Sequence, residues 1–303
     1  MKRICYCVCV SLAVFCFLQT IASAQEEKAR ELKVMSFNIW VGGGTSLDET
    51  LNVIKTTGVD IVGVQEASKQ GKNVIEQFAK DSGWYSHAET SSRTILSRYP
   101  IVKVSTNKKG CKIKIDDETF VWMFNLHLMH APYEPYQLND IEYAGAPFLK
   151  TAEEAIASAW KSRGNDVTAT VADIKEAQKD NCPIFLTGDF NEPSCLDWTE
   201  KAAKAGICKI PVEWPATRAF MSDANMKDSY RTKYPDEVKH KGHTWTPRPS
   251  ERDVLDRIDF LFFHGDNVTL KDVLIVGEKS DLSDISFEKY PSDHRAVLGI
   301  FTL

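Results

Sequence analysis

The chain has no surplus of positive charge: 37 lysines and arginines stand against 42 aspartates and glutamates, a net −5 at neutral pH. That balance excludes a protein that coats nucleic acid through a general basic field, although a local basic groove can sit on an acidic whole. The cysteines form no CxxC pair and no zinc-type spacing. A glycine-rich phosphate loop is missing too, because Gly42-Gly43-Gly44 has neither the spacing nor the Lys-Ser/Thr ending. Beyond residue 24 no apolar run is long enough to span a bilayer. No repeat, low-complexity tract or linker divides the rest, which points to one shared core.

What is present begins with a leader. Lys2 and Arg3 precede an apolar stretch at residues 4–21, and Ala22-Ser23-Ala24 offers a small-residue cleavage site. This reads as a signal peptide over residues 1–24. An uncleaved membrane anchor is the alternative, but the polar Gln25-Glu26-Glu27-Lys28 follows at once. A lipoprotein does not fit, since Cys16 follows the bulky Phe15. Cleavage leaves residues 25–303 as one catalytic-sized domain with 35 basic and 42 acidic residues, net −7. The expected location is secreted or periplasmic, with no stable membrane insertion after cleavage and a monomeric state. Four of the eight cysteines leave with the leader. Cys111, Cys182, Cys195 and Cys208 remain where disulfides can form. Free thiols and a single disulfide both stay open, except for Cys195 with Cys208. Residues 196–205 between them read as a helix about 15 Å long, beyond the roughly 7 Å that a bridge tolerates.

Strands and helices alternate along the chain. Residues 32–40 alternate in the β manner. A helix follows with Ser46 as N-cap, Glu49 as its partner and Gly58 as stop. Residues 59–65 suit a buried strand, and a second helix is expected from Ser68 to Gly83. Short strands follow at 94–97, 101–105, 111–115 and 120–128. Two helices are expected at 139–160 and 166–179, then a strand at 183–187 and a helix from about Leu196. Strands at 257–263, 268–276 and 295–302 close the chain. The mixed order with hairpin-like steps predicts an α/β fold of the α+β type, with stacked sheets and outer helices, not a doubly wound sheet.

The informative residues are polar ones at the ends of apolar strands: Asn38, Glu66, His127, Asp189 and Asn191, Asp259, and Asp293-His294. An isolated glutamate at a strand end is ordinarily a surface carboxylate, and Asn191 before Pro193 could simply make a turn. The joint recurrence is harder to explain that way, because a charge set into an apolar strand must be paired, hydrogen-bonded or metal-bound. Hard oxygens plus imidazole without thiolate suit Mg²⁺, with Mn²⁺ as the substitute, and disfavour structural zinc. His130 competes with His127, but Met129-His130-Ala131-Pro132 is already leaving its strand.

Gly188-Asp189-Phe190-Asn191 and Ser292-Asp293-His294, together with the four other segments in this order, resemble the signature of the endonuclease/exonuclease/phosphatase superfamily. The resemblance covers residues 32–303. It implies a four-layer sandwich of two mixed β-sheets flanked by helices, and a metal-dependent phosphoesterase. It further implies Glu66 as the principal Mg²⁺ ligand, helped by Asn38 and Asp293. Asp189 would activate the attacking water, and His294 would stabilise charge on the phosphate. Asn191 would hydrogen-bond the phosphate, Asp259 would fix geometry, and His127 would assist the leaving group. Trp245 and Arg248, in the segment before Arg257-Ile258-Asp259, are candidates for the substrate rim, with Tyr133 and Tyr136 beside them. The expected partner is a phosphate ester, phosphodiester or phosphomonoester, of small or lipid-derived kind. A secreted deoxyribonuclease-like enzyme, with nucleic acid as substrate only, is the alternative. A sphingomyelinase-like hydrolase lacks its membrane-inserting hairpin here, and a non-catalytic binding module would not keep the whole set. The calcineurin-like metallophosphatases need a Gly-Asn-His-Asp/Glu motif that is absent.

Overall fold

Two mixed sheets stand face to face in the computed structural model, which describes residues 30–303. The expected signal peptide, residues 1–24, lies outside the described residues. From edge to edge, the seven-stranded sheet runs Ile285–Phe287, Thr269–Glu278, Ala296–Thr302, Glu31–Asn38, Ile61–Gln65, Thr94–Ser97, Tyr85–Ala88. The six-stranded sheet runs Lys227–Asp228, Asp259–His264, Ile184–Asp189, Phe120–His127, Gly110–Lys114, Ile101–Val104. The central pairs Glu31–Asn38 with Ile61–Gln65, and Phe120–His127 with Ile184–Asp189, are parallel.

The period of two in each strand sorts its side chains between layers. On Glu31–Asn38, Leu32 and Val34 face the other sheet and, with Ile61 and Phe301 of their own sheet, meet Met123, Phe185 and Leu261 across the gap. Met35 and Phe37 face outward, under Val53 and Ile54 of helix Leu47–Thr56 and Phe78 of helix Val74–Ser82. The outer face of the second sheet, including Phe124, Leu186 and Phe262, is covered by helices Ala152–Gln178 and Pro215–Ser222. Helix, sheet, sheet and helix make the four layers the sequence implies.

The same parity delivers the functional groups. Along the inward face, Ile61 gives way to Gly63 and Gln65, Met123 to Asn125 and His127, and Phe185 to Thr187 and Asp189. Apolar residues thus change to small polar ones and then to charged ones as each parallel strand nears its carboxyl end. The polar middle is fully buried and knits the sheets together. Gln65 Nε2 donates to Asn125 Oδ1 at 2.6 Å, Thr187 Oγ1 to the same oxygen at 3.1 Å, and Gly188 N to Ser36 Oγ at 3.0 Å. Gly63 is required here, since a Cβ would run into Thr187 Oγ1 and Asn125 Oδ1.

Several local expectations are corrected. The helix expected from Ser68 begins only at Val74, because residues 68–73 form a small hairpin and Asn73 caps the helix instead. The two helices expected at 139–160 and 166–179 are one, Ala152–Gln178, opened by a Thr151/Glu154 capping box; residues 139–150 before it are irregular. Gly164 is buried mid-helix, and a Cβ there would sit 2.8 Å from the Trp160 ring. The helix expected from Leu196 is confined to Glu200–Lys204, capped by Thr199. Asp197, just before it, is held by the Arg231 and Arg257 guanidiniums. Cys111, Cys182, Cys195 and Cys208 are free thiols. No helix among the described residues is long and apolar enough to cross a membrane.

Candidate active site

The two sheets end together at one rim, and the polar strand ends meet there. Asp189 lies in register with His127 on one neighbour and with Asp259 on the other. Asn38 on the facing sheet reaches across to it, Nδ2 donating to Asp189 Oδ2 at 2.9 Å and to Glu66 Oε1 at 3.2 Å. His127 Nε2 stands 3.5 Å from Asp189 Oδ2 and 3.9 Å from Glu66 Oε1. On the other side, His294 Nε2 is 3.8 Å from Asp189 Oδ2, and His294 Nδ1 is hydrogen-bonded to Asp259 Oδ2 at 2.9 Å. One ligand atom each of Asp189, Asp259 and His294 lies within 4.8 Å of the other two.

Backbone geometry aims these groups. Trp40, Val41, Glu66 and Asn191 all have positive φ, between 48° and 58°. That region costs roughly 1–3 kcal/mol for residues other than glycine, and such strain concentrates at functional sites. The left-handed turn at Val41 points its N–H at Glu66 Oε2, 2.8 Å away. The turn at Asn191 brings its N–H to Asp189 Oδ1 at 2.9 Å. Thr244 Oγ1 accepts from the backbone of Ile258 and Asp259, and Ser292 Oγ donates to the Asn38 carbonyl, so both sheets are pinned at the rim.

Charge is concentrated and mostly buried. Burial alone would depress the His294 imidazole, but the adjoining Asp259 and Asp189 carboxylates outweigh it and push it up to about 10. The cluster therefore keeps an imidazolium at neutral pH. Burial pushes the Asp259 carboxyl up, and that imidazolium opposes the push. Asp293 is raised to about 6 by burial, with His294 opposing and the Glu66 carboxylate adding to the rise. Asp293 Oδ1 is buried without a hydrogen-bond partner among the described residues.

The strand-end residues singled out in the sequence thus converge, with two differences of detail. Both Asn191 amide hydrogens are committed, to Asp189 Oδ2 at 3.2 Å and to the Leu128 carbonyl at 3.1 Å. Asn38 turns its nitrogen toward the carboxylates, while its oxygen accepts from Trp40 N at 3.0 Å. His130 does not join the cluster; its Nδ1 pairs with the Tyr143 hydroxyl at 2.8 Å. The rim candidates divide. Trp245 packs on His294, ring centres 5.0 Å apart, whereas Arg248 is tied to the Tyr290 and Ser292 carbonyls and lies over Trp40. Tyr133 and Tyr136 line a hollow of about 320 Å³ next to Trp245 and Asn191. Sequence reasoning missed Asp253 and Asp256 behind these tyrosines, as it missed the buried Glu134–Arg163–Glu192 group; none of these lies at a strand end.

Two facing mixed sheets with carboxylates, amides and imidazoles gathered at their common rim define the four-layer hydrolase architecture. The sequence profile of the Endonuclease/Exonuclease/phosphatase family matches residues 35–294, and the chain belongs to that family. An uncharacterized protein of Caenorhabditis elegans is 28% identical over 303 residues, covering 89% of this chain and 91% of that one. Among solved structures, D. rerio TDP2 complexed with single-strand DNA product superposes with a TM-score of 0.53 at 15% identity, over 90% of this chain and 99% of that chain. The 3′ phosphatase NExo from Neisseria, bound to a product DNA hairpin, gives 0.55 at 16% identity, over 88% and 98%. At such identities the likeness is one of fold.

Proposed function

We propose that this protein is an exported, metal-dependent phosphoric ester hydrolase that cleaves a phosphodiester or phosphomonoester with an activated water. The observation that carries the reading is the convergence on Asp189 of donors from both sheets: Asn38 Nδ2, Asn191 N and Asn191 Nδ2, with His127 and His294 flanking it. Those bonds fix the carboxylate in one orientation, as a general base must be fixed to take a proton from water in line with a phosphorus. His294, kept cationic by Asp259, supplies a preorganised positive charge and an Nε2–H donor for the phosphoryl oxygens. His127, on the opposite side of Asp189, is placed to protonate a leaving oxygen. Asn191 and Asn38 act here through Asp189, as positioning residues.

A divalent cation fits the same rim. The unpartnered Asp293 Oδ1, with its carboxyl pushed up beside Glu66, is a site that a cation would relieve. Glu66 and Asp293 would hold Mg²⁺ or Mn²⁺, with Asn38 orienting Glu66; the cation would polarise a non-bridging phosphate oxygen. Export rests on the leader at residues 1–24 and is tested by whether the extracytoplasmic protein begins at Gln25. The solved relatives of like fold hold DNA products, so nucleic acid is the alternative substrate. A screen of residues 25–303 against small phosphodiesters, nucleotides, sugar phosphates, phospholipids, DNA and RNA, with Mg²⁺ and with chelator, tests the reading. Absence of turnover on every substrate would refute it.

A further inference from the structure

The hollow beside the catalytic rim has a chemistry of its own. Tyr133, Tyr136, Tyr143, His130, Trp245 and Asp253 line it, and no lysine or arginine does. Tyr133 and Tyr136 meet at 86° with centres 4.9 Å apart, and Tyr136 and Tyr143 at 85° and 5.6 Å. Adjacent walls are therefore perpendicular and form a box. The polar edges of the rings are occupied within the walls. Tyr133 donates to Asp256 at 2.7 Å, Tyr136 to Asp253 at 2.6 Å, Trp245 Nε1 to the Tyr136 hydroxyl at 3.2 Å, and Tyr143 pairs with His130. An occupant therefore meets mostly aromatic surface, with the Asp253 carboxylate as the one charged group in the lining. Burial would raise the Asp253 carboxyl, but hydrogen bonds from Tyr136 and Ser250 outweigh it and hold it below the ordinary range.

These features select among ligands. A nucleobase edge needs matched donors and acceptors, and here the tyrosine hydroxyls, the Trp245 N–H and both Asn191 amide hydrogens are already engaged, which leaves few donors for it. A primary ammonium would bring N–H donors that ring faces leave unsatisfied. A quaternary ammonium has no N–H, is rounded, and is drawn to the negative faces of aromatic rings. We propose that this box is a subsite for a quaternary ammonium group, so that the substrate is a phosphate ester of a choline-like alcohol. The box connects directly to the chemistry: Asn191, which positions Asp189, lines it, and Trp245 forms the wall shared with His294. A phosphate that accepts from His294 Nε2 and faces the water held by Asp189 would extend one ester arm toward the box. The volume, about 320 Å³, is at the small end of ligand sites.

The inference rests on the phosphoesterase reading, and the experiment separates the two. Hydrolysis of p-nitrophenyl phosphorylcholine is compared with that of its uncharged carbon isostere, p-nitrophenyl 3,3-dimethylbutyl phosphate. The choline ester is expected to be favoured about 10-fold or more in kcat/KM, as attraction by several desolvated rings implies. Tyr143→Leu and Asp253→Asn, with folding checked by circular dichroism, should each lower that ratio toward one. Equal kcat/KM on the two esters in the wild type, or a higher value on the p-nitrophenyl ester of thymidine 5′-phosphate, would overturn the proposal. Tetramethylammonium binding, measured by calorimetry without metal, reads the box independently of turnover. Saturable binding weakened by Tyr143→Leu supports it, even if no ester is cleaved and the phosphoesterase reading fails; no binding contradicts it. Cleavage of glycerophosphocholine identifies a soluble ester and cleavage of phosphatidylcholine vesicles a lipid headgroup, and either supports the subsite.

Discussion

Glu192, one residue past Asn191, offers a sharp test of how the fold pays for its buried charges. It is wholly buried; Oε1 accepts from Ala216 N at 2.7 Å and Oε2 has no hydrogen-bond partner among the described residues. The nearest cation, Arg163, is 3.9 Å away and already bonded to Glu134 at 2.8 Å. Burial pushes the Glu192 carboxyl from 4.5 up to about 8, with Arg163 and the Ala216 amide opposing. The unfolded chain therefore loses this proton near pH 4.5, whereas the native state keeps it until about pH 8. Between those values the native state binds the extra proton, so stability falls as pH rises, by about 1.4 kcal/mol per unit. The full difference is on the order of 5 kcal/mol above pH 8, and about 3 kcal/mol at pH 7. Glu192→Gln keeps the acceptor for Ala216 and removes the titration. Urea unfolding at pH 5, 6, 7 and 8 should show the variant gaining steadily on the wild type. Parallel stability curves, or a wild type that is the more stable at pH 8, would show that Glu192 does not titrate in this way.

Other outcomes follow from the same structure. Asp189→Asn and His294→Ala should each lower phosphodiester turnover on the order of 10³-fold, and the double variant should lose far less than the product, because both serve one step. Arg257 pairs with both Asp197 and Asp228 in the buried rim; Arg257→Met should cost about 3–5 kcal/mol in urea unfolding, since it leaves buried carboxylates short of their cation. A small-substrate enzyme should show kcat/KM on a small phosphodiester nearly flat across a salt series, whereas steeply salt-sensitive cleavage of plasmid DNA beside negligible small-substrate turnover would favour the nuclease alternative.

The parts legible in the sequence are those governed by short-range periodicity. Alternation in residues 32–38 and 120–127 placed Asn38 and His127 on strands, and the two-fold period fixes which face they share with the inter-sheet core. Charge at the end of an apolar run marked Glu66, Asp189 and Asp259, because only pairing or a ligand justifies it there. Long-range partnership was not legible. Nothing near Asp259 announces His294, and nothing near Arg163 announces Glu134 and Glu192. Gly164 is a poor helix former by propensity, yet it lies inside the helix Ala152–Gln178, packed under Trp160. Asn191 and Asn38 carry the residue types of phosphate and metal ligands, but the hydrogen-bond directions that turn them toward Asp189 depend on backbone conformations no local pattern encodes.

If a carboxylate-bound cation and the Asp189 cluster together hydrolyse a phosphate ester, turnover must depend on both. The direct measurement is phosphodiester turnover by the wild type and by Glu66→Gln over a Mg²⁺ titration that begins in chelator. Turnover should be absent without the cation, saturate in the wild type as Mg²⁺ rises, and need much higher Mg²⁺ in Glu66→Gln. Undiminished wild-type turnover in chelator, or superimposable curves for the two proteins, would contradict that dependence.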